Sequence, residues 1–178
     1  QDGRNMVMVI APLRKKADVK QEKDAAAHDL EVSDAKESAA TFPNLAGLYL
    51  DFIRYDDDFS CAGPAAFTAL EKRTRWRKKM GRPLVAMDIR AAYDSQNWLW
   101  AEWTNMRAEK IVETVDTIRD AVEEVRPDFR IGAFVLPFST ESYEQNTQAG
   151  QDLTRLARAG LDEIVLMGYW DDWGHSPA

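Results

Sequence analysis

Short apolar runs alternate along this chain with longer segments in which apolar residues recur every three to four positions. Residues 6–11, MVMVIA, are continuously apolar and end at Pro12. That is the pattern of a strand buried on both faces of a parallel sheet. Residues 47–55 (GLYLDFIRY), 129–136 (FRIGAFVL) and 163–170 (EIVLMGYW) form three further strand-type runs. Residues 95–126 carry Trp103, Met106, Ile111, Val115, Ile118, Val122 and Val125 at spacings near 3.6. Ser95 is placed to cap that segment and Pro127 follows its end, so the spacing predicts one long amphipathic helix. Residues 64–79 predict another helix, with Pro64 in its first turn and Gly81-Arg82-Pro83 as its stop. Residues 149–159 predict a short helix through Leu153, Leu156 and Ala157, with Gly160 at its C-terminal cap. Two segments read less sharply. Residues 13–44 are polar, with helical turns expected around 19–29 and 33–41 and a break at Pro43-Asn44. Residues 84–94, LVAMDIRAAYD, read as a loop with a helical turn.

The resulting order is strand, helical region, strand, helices, strand, helix, strand. Such alternation predicts an α/β fold with parallel strands and right-handed crossovers. A doubly wound open sheet and part of a (β/α)8 barrel both suit it. A full barrel needs roughly 250 residues, so four strands in 178 residues amount to about half of one. The length suits a single domain, 1–178, with a sizeable core.

Charge narrows the partners. The net charge of −7 argues against a nucleic-acid or anionic-membrane partner for the chain as a whole. One local exception is KRTRWRKKMGR, residues 72–82, whose simplest reading is a solvated helix face. No apolar run approaches the roughly 20 residues that span a bilayer. A lone cysteine, Cys61, excludes an intrachain disulfide framework and leaves the compartment unknown. The chain begins with Gln1 and reaches a strand by residue 6, which reads as a start inside a longer gene product. Missing targeting signals are then uninformative.

The candidate chemistry gathers at two strand ends. Asp51 lies near the carboxyl end of an apolar strand and is followed by Arg54, Asp56, Asp57 and Asp58. A charge in a buried strand is costly to desolvate, so an acid there is a candidate for function. The last strand ends in Tyr169, Trp170, Asp171 and Asp172. In parallel α/β folds that end of the sheet is where ligands bind. Strands lie about 4.8 Å apart, so two strands separated by one bring their ends to roughly 10 Å. Side-chain parity puts Tyr49, Asp51, Ile53 and Tyr55 on one face.

Paired carboxylates at one rim are what glycoside hydrolysis requires. One acts as nucleophile or base and the other as proton donor, about 5 Å apart for retention or about 6.5–9.5 Å for inversion. Asp51 is the candidate nucleophile or base, Asp171 the candidate acid, and Asp172 its understudy. Arg54, Tyr55, Asp56, Tyr49, Tyr169 and Trp170 are the candidate sugar contacts. Six tryptophans add flat surfaces that suit sugar rings, although Trp100 and Trp103 read first as core residues. Arg54 is also placed to pair with Asp51 and keep it ionised. Asp88 and Asp94 read as turn or cap residues, and His28 as a surface residue. Two histidines and one cysteine argue against a zinc site, while a carboxylate-only Ca²⁺ or Mg²⁺ site at Asp56–Asp58 stays open. No cofactor is expected: there is no GxGxxG, GxxxxGK[ST] or GxSxG.

GLYLDFIRYDDD resembles the fourth-strand signature of the family-10-like glycosyl hydrolases, a group of (β/α)8-barrel glycosidases. That signature reads Gly-Ile-His-Leu-Asp-Tyr-Ile-Arg-Tyr-Pro. Leu50, Asp51, Ile53, Arg54 and Tyr55 match it, while Tyr49 replaces His and Asp56 replaces Pro. Trp100 to Trp103, Arg107, Arg126-Pro127-Asp128, residues 130–137 and residues 160–169 are similar to later parts of the same group. The resemblance covers about residues 45–173 and implies that the four strands are the third to sixth of a barrel. It further implies a carbohydrate substrate, catalytic acids after the second and fourth strands of this chain, and an exported protein. A glycan-binding barrel that hydrogen-bonds sugars without cleaving them is the alternative. A phospho-acceptor module of flavodoxin type fits poorly, because the first strand ends in Ala11-Pro12-Leu13. Open sheet edges lead one to expect self-association.

Overall fold

The computed structural model of the chain describes residues 6–10, 22–51, 53–55, 64–136 and 149–167. Four strands, β1 (Met6–Ile10), β2 (Leu45–Leu50), β3 (Arg130–Val135) and β4 (Glu163–Leu166), form one sheet in the order β1-β2-β3-β4. Every pairing is parallel. The fold is therefore α/β with a parallel sheet. Helix α1 (Glu22–Thr41) joins β1 to β2. Helices α2 (Pro64–Thr74), α3 (Trp76–Met80), α4 (Ala86–Asp94) and α5 (Trp98–Glu123) lie between β2 and β3, and α6 (Leu153–Arg158) lies between β3 and β4.

One face of the sheet packs on helices. Leu48 and Leu50 of β2 and Ile131, Ala133 and Val135 of β3 join Ile111, Val115, Ile118 and Val122 of α5 in one buried cluster. Ala35 and Ala39 of α1 and Leu156 of α6 complete it. Each fully buried branched aliphatic is worth about 1.5–3 kcal/mol, against at most about 1 kcal/mol for an exposed ion pair. This layer therefore dominates the stability of the sheet. On the opposite face Tyr49 lies 5.4 Å from Phe134, ring centre to ring centre. Gly132 lies beneath the Tyr49 ring: a Cβ there would come within 2.4 Å of Tyr49 Cε1.

Helix α5 is longer than the sheet it covers. Its 26 residues span about 39 Å, whereas six-residue β2 spans about 20 Å. Ile111 to Val122 lie on the sheet. At the amino ends of the strands, Arg126 just past α5 donates to the carbonyls of Phe42 and Pro43, both at 3.1 Å. The first three turns of α5 project beyond the carboxyl rim. They carry a second core of Leu70, Trp76, Leu84, Ile89, Ala92, Leu99, Trp100 and Trp103. Helices α2 to α4 and this end of α5 form a helical overhang.

Several expected boundaries move. The strand expected over 47–55 starts at Leu45 and its ladder stops at Leu50, so the parity drawn from Tyr49 to Tyr55 fails. Ile53 turns into the same core as Leu48 and Leu50, opposite Tyr49. The helix expected from Ser95 begins at Trp98, because the Asn97 side chain accepts from Leu99 N at 2.9 Å, and Ser95 instead ends α4. The loop expected over 84–94 is helix α4, capped where Asp88 accepts from Val85 N at 3.0 Å. Residues 64–79 split into α2 and α3 at Arg75, whose φ of 55° is left-handed. The two faint turns expected over 19–41 are one helix, α1.

Candidate active site

The carboxyl ends of β2 and β4 share one rim. Asp51, half-buried, follows the last residue of β2. Three residues on, Arg54 crosses the end of β3 and its Nη1 donates toward Met167 Sδ at 3.7 Å. Met167 directly follows β4, and its amide donates to the Val135 carbonyl at 2.9 Å. A guanidinium rooted just past β2 thus rests against a residue just past β4, two strands away. Asp171, Asp172, Tyr169, Trp170 and Asp56 lie outside the described residues, as do the Asp57-Asp58 pair and Trp173.

Three contacts hold residues 53–55 in place. Tyr55 N donates to the Ala149 carbonyl at 2.9 Å. The Arg107 guanidinium lies between two rings, 4.7 Å from the centre of Tyr55 and 5.1 Å from that of Trp103. Gln151 has no exposed surface and spans the gap left where the ladder stops. Its Oε1 accepts from Leu136 N at 3.0 Å, and its Nε2 donates to Phe134 O at 3.2 Å and Ile53 O at 3.5 Å. One side-chain amide thereby replaces a rung of sheet between the exits of β2 and β3. Gly150 approaches closely from the same loop, at a φ of 77° that favours glycine: a Cβ would meet Ile111 Cδ1 at 2.8 Å.

A run of charges links this rim to the overhang. Asp152 caps α6 by accepting from Arg155 N at 3.1 Å, and its second oxygen lies 3.2 Å from Arg155 Nε. Arg155 Nη2 donates to Asn105 Oδ1 at 2.8 Å, and Nη1 lies 3.8 Å from Glu109. Glu109 in turn pairs with Arg73 of α2, which also donates to Glu102 at 2.7 Å. The Arg73 guanidinium holds the Glu109 carboxyl below the usual carboxylate range.

Tyr49 is directed elsewhere. Its hydroxyl donates to Glu163 Oε2, and Arg130 Nη1 donates to Glu163 Oε1 at 2.8 Å. Glu163 is the first residue of β4, so the Tyr49 hydroxyl points to a shallow depression at the amino ends of the strands. In the described chain Tyr49 braces the sheet at the level of Gly132. Trp100 and Trp103 are core residues, 6% and 1% exposed, and Trp103 stacks on Phe67 at 5.8 Å. Among the described residues no cluster of three His, Cys, Asp or Glu side chains is placed to hold a metal ion.

Sequence reasoning gave Arg107 no role at the site and missed Gln151. Arg107 has a visible signal, since it interrupts an apolar row four residues after Trp103 and four before Ile111. Gln151 has none, because its partners lie up to 98 positions away.

No family model matches the chain, and no curated protein sequence does. Among solved structures it is similar to the PgaB (BpsB) glycoside hydrolase domain from Bordetella bronchiseptica, with a TM-score of 0.63 and 18% identity. The likeness covers 96% of this chain and 47% of that one. At that identity it is a likeness of fold. The chain spans about half the length of the glycoside hydrolase domain it matches.

Proposed function

We propose that this chain is a single α/β unit of a (β/α)8 glycoside hydrolase domain, related to the family-10-like group and contributing its third to sixth strands. The substrate class is a polysaccharide or oligosaccharide. Asp51 acts as nucleophile or base, and Asp171, with Asp172 behind it, supplies the proton. Arg54 and Tyr55, together with Asp56, Tyr169 and Trp170, position the sugar. The observation that carries this reading is the Arg54–Met167 contact, which brings the β2 and β4 ends within one side chain's reach. Its weight comes from chemistry: a glycosidic bond is cleaved between two carboxyl groups about 5–9.5 Å apart, and strands two apart bring their ends to roughly 10 Å, a gap that inward-leaning side chains would narrow. The fold likeness to a glycoside hydrolase domain points the same way.

The test is Asp51→Asn in the full-length protein, assayed for cleavage across a panel of oligosaccharides. This substitution keeps the shape and removes the charge. Loss of cleavage by on the order of 10²–10⁴-fold, with an unchanged melting temperature, is the expected result. Undiminished cleavage would refute the assignment. Binding without product in the parent protein would favour the glycan-binding alternative.

A further inference from the structure

The far end of the overhang differs in charge and polarity from the rest of the molecule. Residues 72–82 hold seven of the chain's 23 basic residues and no acid, in a protein of net charge −7. Arg73, Arg77 and Arg82 are matched by Glu102 and Glu109, Glu71 and Asp88. Lys72, Arg75, Lys78 and Lys79 have no carboxylate partner among the described residues. Arg75 adopts its left-handed conformation at the α2–α3 junction, re-aiming the basic residues that follow. A bulky residue held in that region, at a cost of order 1–3 kcal/mol, is where function is worth seeking.

Apolar surface gathers at the same place. Four of the seven large apolar side chains exposed among the described residues are Met80, Val85, Met87 and Trp98, with Met87 73% exposed. Contacts tie together the segments that carry them. Trp76 lies 6.3 Å from Trp98, Lys79 Nζ sits 4.4 Å over the Trp98 ring, and Arg82 spans Trp76 and Asp88. Trp98 begins α5, nine residues before Arg107, so the corner stands roughly 14 Å beyond the rim. That exceeds the Debye length of about 8 Å at physiological salt, so the corner acts largely apart from the net negative charge.

We propose that this α3 corner is a peripheral docking surface for an anionic phospholipid bilayer. Lysines and an arginine without carboxylate partners suit lipid phosphates, and Met80, Val85, Met87 and the Trp98 edge suit the boundary between headgroups and acyl chains. A hydrated polyanionic polymer would leave the methionines and valine unused. Lys79 also covers one face of Trp98, where a base or sugar would stack. The surface is separate from the rim and does not depend on the proposed hydrolase activity.

The experiment is flotation of the chain with vesicles of phosphatidylcholine alone, or of equal parts phosphatidylcholine and phosphatidylglycerol. Flotation with the anionic vesicles only, weakening as salt is added, is expected. A double substitution, Lys78→Gln with Lys79→Gln, should weaken it about 25-fold, from about 1 kcal/mol or fivefold per basic residue. Met87→Ser should weaken flotation several-fold and leave retention on immobilised heparin unchanged. All three positions are exposed, so melting temperatures should match the parent. Failure to float, equal flotation with neutral vesicles, or no effect of the double substitution overturns the proposal. Heparin retention lost in the double variant while flotation ignores Met87→Ser would assign the corner to a soluble polyanion instead.

Discussion

The two cores of this molecule are packed from different materials. The sheet core is aliphatic apart from Phe129 and holds no tryptophan, whereas three of the eight buried residues in the overhang core are tryptophans. A regular strand layer beneath one long helix offers repeating grooves that Val, Ile and Leu fill at close-packed density. Three helices of 11, 5 and 9 residues leave irregular spaces, and each is too short to persist alone in water. Large flat rings fill such spaces with few side chains. The overhang also carries arginine–carboxylate pairs at its surface, which tie its short helices to one another and to α5. Stability from layered aliphatic packing and stability from a few large anchors should fail differently.

The largest test is Trp103→Ala. Removing this 1%-exposed ring should cost about 3–5 kcal/mol. Amides of α2 to α4 should lose hydrogen-exchange protection while those of Leu48 and Ile131 keep it. Simultaneous loss in both regions would erase the distinction and make α5 the spine of one cooperative unit. At the boundary, Gln151→Met should remove the bonds that Gln151 makes to Leu136 N, Phe134 O and Ile53 O, costing about 1–3 kcal/mol in urea denaturation. Faster exchange at Leu136 than at Ala133 would localise the damage to the rim.

Which parts were legible in the sequence follows from the same difference. Continuous apolar runs announced β1 to β4, and the long 3.6-residue stripe announced α5. Helix α1 left a faint stripe because its buried positions include Ala35, Ser38 and Ala39, small side chains that let the helix lie close. Helix α4 buries only Ile89 and Ala92, too few to reveal a period. The end of β2 was misplaced because Ile53 is apolar and buried, yet its carbonyl bonds to a side-chain amide rather than to a strand. At the candidate site, Asp51 and Arg54 stood out as charges in an apolar context. Gln151 did not, since a buried amide is identified by distant partners rather than by its neighbours.

Smaller effects refine the contrast. Asn97→Ala should cost about 1 kcal/mol, because the first turn of α5 loses its cap. The loss should appear in the overhang only. Acidification should give the smallest effect. Arg77, Arg82 and Arg73 hold Glu71, Asp88 and Glu109 below the usual carboxylate range, and Lys36 does so for Glu124. Each folded value lies under its unfolded one, so the stabilisation is complete above about pH 4.5 and fades as pH falls through the lowered values. Three of these four carboxylates brace the overhang. Tryptophan fluorescence, with four of six indoles there, should therefore change before far-ultraviolet circular dichroism on acid titration. Coincident transitions would contradict that order.

Helix α5 contains neither proline nor glycine, so nothing in its sequence invites a kink between Trp98 and Glu123. It behaves as a lever with its fulcrum near Ile111, one arm seated on the strands and the other carrying Trp98. A pull on the outer arm would reach Arg107, and through it the Tyr55 ring, as rotation rather than bending. The Arg107 guanidinium against the Tyr55 ring is the contact through which the outer arm meets the segment that follows Asp51.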